Sequence, residues 1–175
     1  MSAERPGVFG KLPAHGDFVR RGLPRAFLTP WDAWLSAGVE AARAHLGEGW
    51  GPAWEAAPAW RFRLAPGTCG PQAVAGVLLP SRDQVGRRFP LTLAAVGPAA
   101  AVLPAAEWYA ALEAAAAAAR AGELDADRLE ASLPPLPCDD PDATLDRRSL
   151  FWRAGVPARP MPAAAEFPLL LGEPA

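Results

Sequence analysis

Cysteine is scarce in this chain: Cys69 and Cys138 stand far apart, with no second Cys or His at ligand spacing. That pattern excludes a zinc knuckle and offers no disulfide framework, so both read as buried or half-buried thiols. Only two histidines are present, which leaves metal and hydrolytic chemistry few groups to work with. Long hydrophobic runs are missing too. The nearest approach to the roughly 18 apolar residues of a membrane span, residues 89–106, is broken by Pro90, Gly97, Pro98 and Pro104. The start, Met1-Ser2-Ala3-Glu4-Arg5-Pro6, has no apolar segment of the kind a secretory signal needs. A net charge of −2 excludes a basic nucleic-acid-binding domain. Two mononucleotide and hydrolase signatures are also absent. No G-x-S-x-G elbow occurs, and Gly10-Lys11 fails as a phosphate loop because Gly7 is misplaced and Leu12 follows the lysine. A cytoplasmic protein without metal or cofactor is expected.

What is present is ample core material. Seven Trp, seven Phe and abundant Leu, Val and Ala in 175 residues suit one domain, which at this length buries about 70% of its unfolded surface. Charge is uneven along the chain. Residues 1–25 hold five Arg or Lys against two acids, residues 82–88 three Arg against one Asp, and residues 123–146 eight Asp or Glu. Such asymmetry fits polarised surfaces, or simply solvated faces.

The apolar pattern gives the elements. Val8–Leu12 reads as a first strand closed by Pro13, with a charged loop after it. Thr29-Pro30-Trp31-Asp32 carries three helix-start signals: a Thr N-cap, Pro at the first helical position and an acid at the third. Trp31, Trp34, Leu35, Val39, Ala42 and Leu46 then recur at helical spacing up to Gly47. A helical turn in a packed loop is expected around Trp50 and Trp54. Trp60–Leu64 alternates apolar and basic, as a half-buried strand does. Ala73–Leu79 and Phe89–Val96 are nearly continuous apolar strands, and Gly76 implies close packing by another element. A helix from about Pro104 buries Trp108 and Leu112, and a short one from Asp125 carries Leu129 and Leu133. Pro134 to Pro141 forms a rigid acidic connector, and Leu150–Trp152 and Phe167–Leu171 read as further strands. This order supports an α/β sandwich, one domain over residues 1–175, with a mixed sheet flanked by helices.

Two charged, glycine-punctuated windows stand out: Gly10-Lys11-Leu12-Pro13-Ala14-His15-Gly16-Asp17-Phe18-Val19-Arg20-Arg21, and Leu79-Pro80-Ser81-Arg82-Asp83-Gln84-Val85-Gly86-Arg87-Arg88-Phe89-Pro90-Leu91. Together with Trp31-Asp32-x-Trp34-Leu35, Trp60-Arg61-Phe62 and the closing Ser149-Leu150-Phe151-Trp152, they make the chain resemble the TagF (ImpM) family. That family consists of accessory proteins of the bacterial type VI secretion system. The resemblance implies a compact three-layer α/β domain and a non-enzymatic post-translational repressor. It also implies partners among secretion components, including the forkhead-associated scaffold Fha. Some members carry a PppA-type phosphatase domain, for which this chain is too short.

The windows suggest three sites. Lys11, Arg20, Arg21, Arg25, Arg82, Arg87 and Arg88 are expected to share one basic face for an acidic partner. Ser81 and Gln84 form an S-x-x-Q capping box that predicts a helical turn from Arg82 to Gly86. Its exposed N–H groups with Ser81, Arg82, Asp83 and Arg87 would bind an anion, unless Asp83 merely pairs with an arginine. Alternatively, Lys11, His15, Asp17 and Arg87 would converge in a cleft as a small-anion or hydrolytic site. A structural subunit of the secretion apparatus is a third reading of the whole.

Overall fold

The computed structural model describes residues 3–101, 104–137 and 147–172; the acidic connector beyond Pro137, with Cys138, lies outside the described residues. Among these residues, seven strands form one sheet: β1 (Gly7–Gly10), β2 (Val19–Arg21), β3 (Trp60–Leu64), β4 (Val74–Leu79), β5 (Leu91–Val96), β6 (Leu150–Arg153) and β7 (Val156–Pro160). Their order is β2-β1-β5-β4-β3-β6-β7. The α/β sandwich is as expected, but every pairing is antiparallel and the sheet is not mixed. The central pairs, β3 with β4 and β4 with β5, are consecutive in the chain and joined by the loops 65–73 and 80–90, which reverse direction at each step.

Helices cover both faces, which is why β4 is apolar at every position rather than at every second one. On one face lie α1 (Arg25–Leu46), α2 (Trp50–Ala56) and a 3₁₀ segment, Ala164–Leu170. Their aromatic layer joins Phe27, Trp31, Leu35 and Phe167 to Phe9, Phe62, Val74, Leu78 and Phe151 of the sheet. Gly76 is the floor of this layer: a Cβ there would lie 2.2 Å from the Leu93 carbonyl and 2.8 Å from Ala94 on the adjacent strand. The other face carries α3 (Ala106–Arg120) and α4 (Ala126–Ser132). There the packing is small and aliphatic, with Ala75, Val77, Leu93 and Ala95 against Leu112, Ala116 and Ala119. An alanine stripe brings α3 close to the sheet, and Trp108 and Tyr109 close its N-terminal end.

Several expectations are corrected. The α1 stripe is as read, but the helix begins at Arg25 and Pro24, not Thr29, is its N-cap; the Pro24 carbonyl accepts the amides of Phe27 and Leu28. Pro30 sits inside the helix and leaves the Ala26 carbonyl without its intrahelical donor. That carbonyl faces Gly70, where a Cβ would approach it to 2.6 Å. Phe167–Leu171 is not a strand; Pro168 stands within a 3₁₀ turn whose Phe167 and Leu170 cap the aromatic layer. Two strands went unread: β2, only three residues long in a charged run, and β7, which contains Pro157 and Pro160 and is an edge strand, where proline is tolerated. Arg63 does not project outward from β3; it is fully buried and donates to the carbonyls of Ala101 and Arg148.

Candidate functional site

The two charged windows meet. Gly10 pairs with Leu91 across β1 and β5, and a Cβ on Gly10 would strike the Pro90 carbonyl at 2.0 Å. Beyond the strands the loops are tied by Gln84 N–H donating to the His15 carbonyl at 2.8 Å and by the Arg87 guanidinium donating to the Gly16 carbonyl at 2.6 Å.

No helical turn forms at Arg82–Gly86. Arg82 and Arg88 instead make an antiparallel bridge, and Asp83 to Gly86 is a β-turn in which Gly86 N–H donates to the Asp83 carbonyl. Gly86 has φ +88, the left-handed geometry that glycine tolerates and that ends the capping-box reading. The side chain that caps this turn is Asp83, not Ser81. Its Oδ1 accepts from the amides of Val85 (3.1 Å) and Arg87 (2.9 Å), and its Oδ2 from Lys11 Nζ (2.6 Å) and Arg87 Nε (2.7 Å). The carboxylate has no exposed surface. Burial by itself pushes its pKa up, but the hydrogen bonds from Lys11 and from the Arg87 amide and guanidinium prevail and hold it well below the usual carboxylate range.

This knot redistributes the residues read as functional. The expected anion site is not assembled as drawn, because Asp83 is itself the anion that Arg87 and the turn amides bind. Lys11 is buried, on Asp83 and 4.6 Å from the Phe18 ring centroid, so it does not belong to an exposed basic face. The Lys11/His15/Asp17/Arg87 cleft does not form either. Lys11 and Arg87 converge on Asp83; His15 Nε2 accepts from the Ala126 amide at the start of α4; Asp17 accepts from the Phe18 amide. Arg20 and Arg21, neighbours on β2, go to opposite faces. Arg20 lies over Phe9, whereas Arg21 reaches Asp127 of α4. Arg20 and Arg25 border an open cleft of about 540 Å³ floored by Phe9, Leu23 and Leu28. Arg88 turns toward Glu55 of α2 at 3.4 Å, and Arg82 lines a smaller cleft beside Trp54.

The structure adds residues that pattern reading passed over. Phe18 is 42% exposed although its ring packs edge-on against Phe89 at 4.9 Å, and Val85, at the turn tip, is 71% exposed. An apolar residue between Gln84 and Gly86, inside a charged window, was the available signal. Arg61 makes a forked pair with Glu113, both contacts at 2.8 Å, and burial pushes the Cys69 thiol up to about 11, away from reactivity. Among the described residues, no three His, Cys, Asp or Glu side chains are grouped as metal ligands would be, and no helix is long and apolar enough to cross a membrane.

Comparison with known proteins bears directly on these windows. Residues 7–136 match the family model of the TagF N-terminal domain, described as type VI secretion system-associated. Among solved structures, the crystal structure of PA0076 from Pseudomonas aeruginosa PAO1 at 2.05 Å resolution superposes with a TM-score of 0.71 and 36% identity, covering 95% of this chain and 76% of that one. No curated protein matches the chain. Both loops of the Asp83 knot fall inside the matched segment, which accounts for most of the chain, and this protein therefore belongs to the TagF family of type VI secretion system-associated proteins.

Proposed function

We propose that this chain is a cytoplasmic post-translational repressor of type VI secretion that acts by docking on an acidic surface of a secretion component. The forkhead-associated scaffold Fha is the partner to which the family resemblance points. The observation that carries the reading is the pairing of exposed apolar residues with arginines on loops held stiff from below. Phe18 and Val85 project beside Arg87, whose side chain is 61% exposed, while Asp83 locks both loops from the interior. An apolar centre with arginine around it is the composition of energetic interface cores. Arg20 extends the same side through Phe9, whose ring lies 6.2 Å from that of Phe18.

The test uses purified Fha and the full chain. Val85→Asp combined with Arg20→Glu reverses charge and removes the apolar tip without touching the knot. Capture of Fha is expected to weaken by at least about tenfold, with an unchanged thermal midpoint. Undiminished capture by the folded double variant overturns the proposal. Arg87→Glu is a poorer probe, because Arg87 Nε also holds Asp83.

A further inference from the structure

Ser81 is 2% exposed, and its hydroxyl oxygen has no hydrogen-bond partner among the described residues. Its carbonyl is engaged twice, accepting from Trp54 Nε1 at 2.9 Å and from the Phe89 amide at 3.2 Å, which holds this stretch of backbone in place. A buried hydroxyl left unpaired costs stability, and an unpaired one in a native fold calls for an explanation. Ser81 lines a small cleft with Trp54, Glu55, Arg82 and Arg120.

The chemistry of that cleft is anionic in preference. Arg82 is exposed and makes no ion pair or hydrogen bond among the described residues through its guanidinium. Arg120 donates to the Glu55 carbonyl at 3.0 Å and stays 3.9 Å from its carboxylate, whose other oxygen lies 3.4 Å from Arg88. Two guanidinium groups thus share one carboxylate and that of Arg82 is left over, an imbalance suited to a group carrying close to two negative charges. The volume, about 50 Å³, admits a small oxyanion head and excludes an organic substrate. Guanidinium forks and a hydroxyl donor together match phosphate oxygens better than they match a single carboxylate.

We infer that the Ser81–Arg82–Arg120 cleft binds a phosphate group, either free inorganic phosphate or the phosphomonoester of a partner, with the Ser81 hydroxyl and the Arg82 and Arg120 guanidiniums as donors. The site is separate from the Phe18–Val85 docking surface and is measured on the protein alone, so either can fail without the other. The thermal midpoint is followed as inorganic phosphate, or O-phosphoserine, replaces chloride at constant ionic strength and pH. The expected result is a saturable rise in wild type. Ser81→Ala is expected to leave the ligand-free midpoint at or above that of wild type, while weakening phosphate about tenfold, the effect of one charge-assisted hydrogen bond. Arg82→Gln, at an exposed position, is expected to weaken it by at least as much. Binding of O-phosphoserine as tightly as phosphate assigns the site to a displayed phosphoester, and binding of phosphate alone assigns it to the free ion. A linear, unsaturable response in wild type overturns the inference. So does a Ser81→Ala variant that is less stable without ligand yet responds to phosphate as wild type does.

Discussion

Ser81 and Asp83 stand two positions apart in one loop, both buried and both polar, and they are opposite in how far the protein satisfies them. Asp83 accepts four hydrogen bonds, two from cationic side chains and two from amides. The Ser81 hydroxyl accepts and donates none among the described residues. The difference separates architecture from availability. Where the motif's charges close on one another they bind the two loops into one body; at Arg82 the guanidinium is left exposed, beside a buried Ser81 hydroxyl that finds no partner among the described residues. A basic window in a sequence is thus not a uniform surface, because a single well-placed carboxylate consumes the cations nearest to it.

The largest effect is expected at the closed end. Asp83→Ala leaves Lys11 buried without a counter-charge and strips the turn of its cap. Removing one partner of a buried pair costs about 3–5 kcal/mol, so a drop of that size in denaturant unfolding is expected. A loss below about 1 kcal/mol would show that the knot is no more than a surface ion pair.

Acid should separate the two residues next. The folded-state pKa of Asp83 lies below its unfolded value near 4, since the hydrogen bonds from Lys11 and Arg87 outweigh burial. Its contribution is therefore whole above about pH 4 and is lost as pH falls toward the folded value. Asp83→Asn is expected to trail wild type by a constant margin from pH 8 to 5. The two curves should converge below pH 4, read as thermal midpoints across a pH series. Parallel curves throughout would deny the carboxylate its role. Ser81→Ala, which titrates nothing, is expected to run parallel to wild type.

Much of the architecture was legible because burial writes period into sequence. Trp31, Leu35, Val39 and Ala42 fall on one side of α1, and the nearly unbroken apolar run of β4 marked a central strand. What was not legible is what tertiary contact decides. Thr29-Pro30 carries every local mark of a helix start, yet the chain enters α1 a turn earlier, where Pro24 supplies the first acceptor. Pro157 and Pro160 argue against a strand until β7 is seen to be an edge. At the site, the proximity of the two windows was readable, as was the alternative that Asp83 pairs with an arginine. The bond from Lys11, 72 positions away, was not, because no local pattern encodes a partner across the sheet. Arg120 and Glu55, on two different helices, carry no shared signal at all.

The smallest expected effect gives the finest measure of how far the Asp83 turn acts as a unit. Gly86 and Gly47 both have positive φ, +88 and +52, and at neither would a Cβ meet anything within 4 Å. Substituting alanine therefore strains the backbone alone, about 1 kcal/mol at each. Gly47 ends α1 and touches no part of the knot, whereas Gly86 N–H closes the turn on the Asp83 carbonyl. If the carboxylate holds the turn by itself, Gly86→Ala and Gly47→Ala lose the same amount in denaturant unfolding and keep the wild-type acid profile. If turn and carboxylate are coupled, Gly86→Ala loses more, and the excess disappears in an Asp83→Asn background. That double-mutant cycle reads the coupling directly, and an excess that persists without the carboxylate would place the rigidity of the loop in its backbone rather than in the ion pair.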